Sequence, residues 1–269
     1  LFSLFTNEVY VGLKPYVEYF ARENEYTVDD SEFVVTADKT SRENVKQFID
    51  SLKLSSNQKK IEVRDYQLEA IYNGINDGRR LLLSPTGSGK SLIIYVLLRW
   101  HEQFGRRQLI IVPTTSLVEQ LYSDFQDYSH FNGWKASYNC YRIYGTVDKQ
   151  NDMPITISTW QSIYKLPKQY FKDYKAVYGD ECHLFKAKSL TTIMHKCVST
   201  PYRVGTTGTL DGTKTHKLVL EGLFGKVFKT TTTKKLIESK QLADLKIFTI
   251  LLRYPEEERR NNKNNTYQE

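Results

Sequence analysis

A glycine-containing loop that ends in a lysine and a serine is the first group of residues that could do chemistry. It runs from Ser84 to Ser91 and reads Ser-Pro-Thr-Gly-Ser-Gly-Lys-Ser. The apolar run Leu81–Leu83 predicts a buried strand before the loop, and the apolar residues between Ile93 and Trp100 predict a helix after it. A strand, a glycine loop and a helix that opens on Gly-Lys-Ser form the layout of a nucleotide-phosphate loop.

Each residue type in this loop suits one part of a nucleotide. Gly87 and Gly89 allow backbone N–H groups to turn toward a pyrophosphate, and the start of the next helix adds its dipole. Lys90 is expected to reach the terminal phosphates, and Ser91 to bind Mg²⁺. The predicted nucleotide-binding residues of the loop are therefore Pro85, Thr86, Gly87, Ser88, Gly89, Lys90 and Ser91. The usual pattern starts with glycine where this chain has Ser84, so an ordinary strand–turn–helix stays an alternative for the loop taken alone.

A second polar segment, Asp180-Glu181-Cys182-His183, follows the apolar run Ala176–Tyr178, which predicts another buried strand. Transfer of a phosphoryl group to water needs a metal ligand and a group that orients the attacking water. Two adjacent carboxylates can divide these tasks, Asp180 as the ligand of Mg²⁺ and Glu181 as the residue that orients the water. A solvated loop is the alternative for an isolated Asp-Glu pair, but the phosphate loop upstream favours the catalytic interpretation. The predicted catalytic residues are Lys90, Asp180 and Glu181.

Strands and helices alternate from Ile61 onward, and they must position these motifs. Besides the elements around the motifs, the pattern predicts strands at Leu109–Val112, Ile155–Thr159 and Tyr202–Gly205, and helices at Ser116–Tyr128 and over Leu190–Cys197. This alternation predicts an α/β fold with a mostly parallel sheet covered on both faces. Ligands bind at the carboxyl ends of such strands, where most of the motifs fall.

The regions on either side of residues 61–245 differ in character. Residues 1–60 predict a small α+β accessory domain, complete or truncated, that precedes the sheet domain. Its predicted elements are a helix with Pro15 at its first position, a strand at Glu32–Thr36, a helix with a capping box at Thr40–Glu43, and a polar linker at Leu54–Lys60. After the sheet, the pattern predicts a helix at Thr233–Lys240 and a strand at Leu245–Leu252, with residues 246–269 as a strand and linker.

The bulk composition narrows the class of protein. The chain has 269 residues, 40% hydrophobic and 26% charged, as in soluble globular proteins. Its net charge of +7 and pI near 9.0 favour a polyanionic partner, although solubility alone could also explain them. No apolar run approaches the roughly 18 residues that a membrane span needs. The three cysteines have no metal-ligand spacing and cannot build a disulfide framework, so a reducing compartment, the cytoplasm, is expected.

The order of three motifs, Ser84–Ser91, Asp180–His183 and Thr207–Thr209, resembles superfamily 2 helicases and translocases. Within that superfamily the chain most resembles the UvsW-type DNA helicases of T4-like phages, over roughly residues 61–250. The shared features extend to Arg64–Gln67, Thr159–Gln161 and Leu251–Pro255. The resemblance implies a RecA-like P-loop NTPase domain, the first of two motor domains, with ATP and Mg²⁺ as cofactors and DNA as partner.

The resemblance also implies roles for single residues, each with a simpler alternative. Gln67 matches an adenine-reading glutamine, with Tyr66 or Arg64 beside the base; it could otherwise be a surface amide. The coupling of nucleotide state to DNA grip falls to His183, Thr207, Gly208 and Thr209; the histidine could instead be buried and neutral, and the threonines could simply cap strand ends. The implied DNA contacts are Pro113, Thr114, Thr115, Thr159, Trp160 and Gln161, of which Trp160 is the residue type most often found in a core.

The function implied by the resemblance is that of a monomeric ATP-dependent DNA helicase acting on branched DNA, such as stalled forks and recombination junctions. The second motor domain and its arginines are expected to be absent from this chain, since Arg259-Arg260 lies in a polar tail. Poor ATP hydrolysis by the chain alone is therefore expected. Two alternatives stay open: a duplex DNA translocase that does not unwind, and a nucleic-acid-binding module with inactive motor motifs.

Overall fold

Strands of the chain, as seen in a computed structural model, are mostly short and parallel. The structure describes residues 2–3, 7–31, 37–186, 188–210, 212–244 and 248–250. In chain order the strands are β1 (Phe2–Ser3), β2 (Glu8–Val9), β3 (Ser55–Ser56), β4 (Lys59–Lys60), β5 (Arg79–Leu83), β6 (Arg107–Val112), β7 (Cys140–Ile143), β8 (Ile155–Thr159), β9 (Tyr174–Gly179), β10 (Tyr202–Thr207) and β11 (Val227–Lys229).

Helices fill most of the intervals between these strands. They are α1 (Lys14–Glu23), α2 (Arg42–Ser51), α3 (Asp65–Asp77), α4 (Lys90–Glu102), α5 (Thr115–Tyr128), α6 (Ala136–Asn139), α7 (Trp160–Ile163), α8 (Lys188–Lys196), α9 (Lys214–Phe224) and α10 (Thr233–Glu238), with 3₁₀ segments at Val11–Leu13, Lys168–Phe171 and Cys182–Lys186. No helix in the described ranges is long and apolar enough to cross a membrane.

A sheet of seven strands in the order β11-β5-β10-β9-β6-β8-β7 forms the centre of the molecule. All of its strand pairs are parallel, which confirms the predicted α/β class. The prediction missed the two edge strands, β7 and β11. Both are short, and each carries a basic residue, so neither presents the apolar run by which a buried strand is recognised.

Each face of the sheet has its own hydrophobic cluster. In β5, Leu82 belongs to the cluster that includes α3, α4 and α5, whereas Leu81 belongs to the one that includes α8 and α9. In β6, Ile110 and Leu109 divide between the clusters in the same way. Successive side chains of a strand point to opposite faces, so a strand that is covered on both sides needs apolar residues at consecutive positions. This requirement is why these strands could be predicted from short uninterrupted apolar runs.

The segment Leu54–Lys60 is an ordered hairpin, so its prediction as a linker is wrong. β3 and β4 pair in antiparallel fashion, and the buried Ser55 donates a hydrogen bond to the Asp127 carbonyl at the end of α5. The backbone N–H of Asn57 donates to the Asp127 carboxylate at 2.8 Å. Polar side chains here form contacts with a helix terminus, which composition alone does not distinguish from contacts with water. The predicted domain division at residue 60 stays a prediction, although α2 shares the hydrophobic cluster of α3 and α4.

Two helix starts differ from prediction by one residue. α1 begins at Lys14, so Pro15 is its second residue and not its first. α2 is capped by Ser41, whose hydroxyl accepts from the Asn44 backbone N–H at 3.1 Å, and not by Thr40. Either residue can cap a helix, and the choice depends on which one has an extended backbone beside the first turn. α10 confirms the helix predicted at Thr233–Lys240.

Some predictions fall on residues that the structure does not describe. These are the strand at Glu32–Thr36, residues 251–269 with Arg259 and Arg260, and most of the strand at Leu245–Leu252. Of that last strand only residues 248–250 are described, and these are not in a strand.

Asp38 ties the segment before α2 to the sheet domain. Its carboxylate accepts hydrogen bonds from Trp100 Nε1 at 2.9 Å, Tyr202 Oη at 2.8 Å and both terminal nitrogens of Arg106. Burial would raise the pKa of Asp38, but these donors outweigh it and lower the pKa to about 2. The carboxylate is therefore stabilised in the folded state in its ionised form.

Replacing Asp38 with alanine is expected to lower the free energy of unfolding by about 3 kcal/mol, since the buried Trp100 and Tyr202 and the half-buried Arg106 then lose their acceptor. In the wild type this contribution is present above the ordinary aspartate pKa near 4 and disappears as the pH falls toward about 2. Urea unfolding at pH 7 measures the difference. Asp50, exposed on α2, provides the control, and its alanine variant is expected to stay within about 0.5 kcal/mol of wild type. Equal stabilities of the two variants would contradict the prediction.

Candidate nucleotide and nucleic-acid site

The glycine loop follows β5 and leads directly into α4, as predicted. Gly87 and Gly89 have φ of 79° and 82°, in the left-handed region that residues with a Cβ rarely adopt. Gly89 is also the cap residue of α4, and a Cβ there would lie 2.4 Å from Gln67 Nε2. The loop therefore requires glycine at these positions for its conformation and for the close approach of a neighbouring side chain. Its shape fits a loop that turns N–H groups toward an anion.

Ser84, which replaces the usual leading glycine, is part of a chain of buried hydroxyl groups. Its Oγ lies 2.7 Å from Ser88 Oγ and accepts from Thr230 Oγ1 at 3.0 Å. Ser88 Oγ in turn donates to the Pro85 carbonyl at 2.6 Å. The serine therefore ties the phosphate loop to itself and to the residue that follows β11. Thr230 was missed in the sequence because a lone threonine after a short strand carries no signal.

The predicted catalytic residues lie together at the carboxyl ends of β5 and β9. Lys90 Nζ is 3.1 Å from Glu181 Oε1. Glu181 has a φ of 49°, a left-handed backbone conformation that is strained for a residue with a side chain and is often found at functional sites. Asp180 is buried, and its Oδ1 accepts from Thr206 Oγ1 at 2.7 Å and from the Glu181 N–H at 3.0 Å.

Burial raises the pKa of Asp180, and the hydrogen bond from Thr206 offsets part of that shift. Both of its hydrogen bonds end on Oδ1, which leaves Oδ2 for another ligand. This arrangement fits Mg²⁺, which takes one or two carboxylates and completes its shell with phosphate oxygens and water. No group of three or more metal-ligating side chains occurs over the described ranges, so such a site would depend on a nucleotide.

The hydroxyl of Ser91, the other predicted ligand of Mg²⁺, lies against α5. Ser91 Oγ is 2.7 Å from Tyr128 Oη. The hydroxyl can donate its hydrogen to Tyr128 and still offer an oxygen lone pair to a metal ion. Tyr128 was not predicted as a neighbour, because the contact joins helices that are far apart in sequence.

The residues predicted to bind the base lie at the start of α3, beside the phosphate loop. Gln67 is buried, its Nε2 donates to the Ser88 carbonyl at 2.8 Å, and its Oε1 accepts from the Arg64 N–H at 3.0 Å. Tyr66 Oη donates to the same Ser88 carbonyl at 3.0 Å and accepts from Arg64 Nη1 at 2.9 Å. Gln67 is thus not a surface amide. Its role as a reader of adenine stays a prediction.

The predicted coupling residues connect the two carboxylates to the phosphate loop. His183 Nδ1 is 3.0 Å from Thr207 Oγ1 and 3.4 Å from Glu181 Oε2. The Thr207 carbonyl accepts from the Ser84 N–H at 2.8 Å, and Thr207 Oγ1 donates to the Thr209 carbonyl at 2.9 Å. A Cβ on Gly208 would be 3.9 Å from Lys90 Nζ. These residues form one connected set of contacts around Lys90 and Glu181.

The two predicted DNA-contacting loops meet at the ends of β6 and β8, which are neighbours in the sheet. Gln161 Nε2 donates to the Pro113 carbonyl at 3.2 Å, which joins the loops directly. Thr114 uses its side chain to cap α5, and Thr115 is exposed. Trp160 packs partly against the hydrophobic cluster of α8 and α9, and its ring centroid lies 5.8 Å from that of Tyr164. Trp160 is therefore half core residue, and its stacking on a base stays a prediction.

Comparison with known proteins identifies the family to which the chain is similar. The family described as "Type III restriction enzyme, res subunit" matches residues 60–212. The chain is 38% identical over 234 residues to the ATP-dependent DNA helicase uvsW of Enterobacteria phage T4, covering 85% of this chain and 46% of that protein. It is 29% identical over 208 residues to the DNA 3'-5' translocase XPB2 of Sulfurisphaera tokodaii, covering 71% and 44% respectively.

A solved structure extends the likeness to three dimensions. The crystal structure of the UvsW helicase from bacteriophage T4 superposes with a TM-score of 0.73 at 32% sequence identity. The superposition covers 81% of this chain and 78% of that one. The chain spans about half the length of the curated relatives that it matches.

Proposed function

The chain belongs to the superfamily 2 helicases, and from this membership we propose that it is the ATP-binding half of an ATP-dependent DNA helicase that acts on branched DNA. The observation that supports the proposal most strongly is the set of contacts joining Lys90, Glu181, His183 and Thr207. Ion-pair and hydrogen-bond contacts join these candidates for phosphate binding, water orientation and coupling, which supports the proposal. The match to a phage helicase supports the DNA substrate, the phage origin and a host-cytoplasmic location.

Binding of ATP begins, in this proposal, with an exchange of partners at Lys90. In the structure, Lys90 Nζ lies 3.1 Å from Glu181 Oε1. A phosphate that takes Lys90 frees Glu181 to accept a hydrogen bond from the attacking water. Asp180 and Ser91 would hold Mg²⁺, which would neutralise charge at the transferred phosphoryl group. The loop N–H groups bind the remaining phosphate oxygens. Gln67 and Tyr66 both donate to the Ser88 carbonyl, so a change in the conformation of the loop alters their hydrogen bonds.

The change at Glu181 then reaches the DNA-contacting loops through the sheet. His183 contacts both Glu181 and Thr207, so movement of the carboxylate alters its hydrogen bonding with β10. Thr114, Thr115 and Gln161 offer hydroxyl, amide and backbone donors that suit phosphate oxygens without reading the base sequence. In the protein extended beyond residue 269, a second motor domain would close over Lys90 and bring its arginines to the phosphates. The working unit in this proposal is a monomer.

The experiment that tests this proposal compares ATP turnover by residues 1–269 with turnover by the protein extended beyond residue 269, each with and without a DNA fork. We expect turnover and its stimulation by the fork only for the extended protein, together with displacement of one strand. Stimulated turnover without strand displacement would identify a duplex translocase, the activity named in the XPB2 relative. DNA binding with no turnover in either form would overturn the motor function and identify a binding module.

A further inference from the structure

A cavity of about 630 Å³ lies at the amino ends of β5 and β10, at the edge of the sheet opposite the nucleotide site. Its charged lining residues are Lys14, Asp77, Arg79, Arg80 and Lys226, and its apolar lining includes Val11, Pro15 and Pro201. β5 runs from this cavity to the phosphate loop, a distance of about 15 Å for five residues in a strand. The volume is in the range of sites for small molecules.

Two arginines stand opposite each other beside this cavity. Arg79 of β5 and Arg203 of β10 are register partners in neighbouring strands, so they face the same side of the sheet. Like charges in this relation are destabilising. Arg203 is buried and donates to the carbonyls of Thr200 and Cys197 at 3.2 and 2.5 Å. Neither guanidinium contacts a carboxylate within the described residues.

Arg79 carries the stronger signal because its guanidinium makes no hydrogen bond or ion pair in the part of the chain that the structure describes. Burial, with the charge of Arg203 added to it, lowers the pKa of Arg79 to about 9. The neighbouring cations differ. Arg80 is 2.6 Å from the Asp77 carboxylate, whereas the exposed Lys226 forms no ion pair over the same ranges. A half-buried guanidinium without a counter-charge lowers the stability of the folded state unless an anion from outside pairs with it.

We propose that this cavity is a second ligand site, one that binds a small organic anion through Arg79. The guanidinium of Arg79 forms a paired hydrogen bond with a phosphate or carboxylate group, and Lys226 adds its charge from the rim. Val11, Pro15 and Pro201 contact the apolar body of the ligand. The site is separate from the nucleotide site, and it stands or falls independently of the helicase proposal.

Calorimetric titration of residues 1–269 with phenyl phosphate, benzoate, inorganic phosphate and phenol tests the proposal. We expect saturable binding of phenyl phosphate or benzoate, weaker binding of inorganic phosphate, and none of phenol. The two aromatic anions distinguish a phosphate ligand from a carboxylate ligand. Binding in an Arg79→Met variant is expected to be about 10- to 100-fold weaker, since a charge-assisted hydrogen bond is lost. Lys90→Ala, which weakens phosphate binding by the phosphate loop, is expected to keep the part of the binding that depends on Arg79.

Two further readouts guard against a misfolded variant. The unfolding temperature of Arg79→Met is expected to equal or exceed that of wild type, because a half-buried charge without a counter-charge is removed. In the wild type, the Arg79 Nε–H resonance is expected to shift on titration with phenyl phosphate. Unchanged affinity in Arg79→Met, loss of binding in Lys90→Ala, or equal affinities for phenyl and inorganic phosphate would each overturn the proposal, as would the absence of saturable binding by either aromatic anion.

Discussion

Glu181→Gln is expected to lower ATP turnover by a factor of about 10²–10⁴ while leaving ATP bound at least as tightly as in wild type. The loss follows from the proposed task of Glu181, which is to orient the attacking water and accept its proton. The gain in binding follows from the 3.1 Å ion pair between Lys90 and Glu181, which a phosphate must displace. Removing a partly exposed ion pair changes affinity by a factor of about 1.5 to 5.

Turnover is measured on the protein extended beyond residue 269, and affinity on residues 1–269 with a fluorescent ATP analogue. Glu62→Gln provides the control, because Glu62 is exposed and forms no ion pair within the described residues, and it should change neither quantity. Lys90→Ala provides the opposite pattern, since it removes the phosphate ligand itself and weakens binding. A Glu181→Gln variant that binds ATP more weakly than wild type would show that the ion pair does not compete with the nucleotide.

The parts of this site that could be predicted are those in which chemistry and local conformation coincide. The segment from Ser84 to Ser91 is recognisable because a strand, two glycines and a helix start are all needed within a few residues. Asp180 and Glu181 are recognisable for the same reason, since they end a strand with two charges. In both cases the residues that bind also shape the chain around them.

The residues that prediction missed act through contacts between distant parts of the chain. Tyr128 meets Ser91, Thr230 meets Ser84, and Thr206 meets Asp180, each across the fold and each with a common polar side chain. Their local sequence would suit an exposed helix or strand end equally well. Such hydrogen-bond partners follow from the register of neighbouring strands and the packing of helices, and a single sequence does not encode these in any local pattern.

Gln67 illustrates the remaining class, in which the residue was predicted but its surroundings were not. The family resemblance implied contact with a base, whereas its amide forms hydrogen bonds with Ser88 and Arg64. The same side chain closes against Gly89, where a Cβ would lie 2.4 Å from its nitrogen. The contact with Gln67 thus explains why the loop needs glycine at position 89. The same contact offers a route by which binding of a base could change the conformation of the loop.

Asp180→Asn is expected to lower Mg²⁺-dependent ATP turnover by a factor of at least about 10². The same substitution is expected to raise the unfolding temperature in the absence of Mg²⁺. The asparagine oxygen can keep the hydrogen bonds from Thr206 and the Glu181 N–H, but it offers Mg²⁺ no charge. The pKa of Asp180 is raised by burial, so the ionised carboxylate costs stability at neutral pH. Removing that charge is expected to raise the unfolding temperature by about 2–4 °C.

The pH dependence gives this prediction its sign. A carboxyl group with a raised pKa contributes stability that is fully present below the ordinary aspartate pKa near 4 and is lost as the pH rises through the folded-state value. The difference between variant and wild type is therefore expected to be largest at pH 7–8 and to shrink toward pH 4. Asp173→Asn provides the control, because Asp173 is exposed and directly precedes β9. Its difference in stability from wild type should show no such trend with pH. If the variant is less stable than wild type at pH 7, the Asp180 carboxylate stabilises the fold. The interpretation that this carboxylate is kept for its chemistry at a cost in stability would then be wrong.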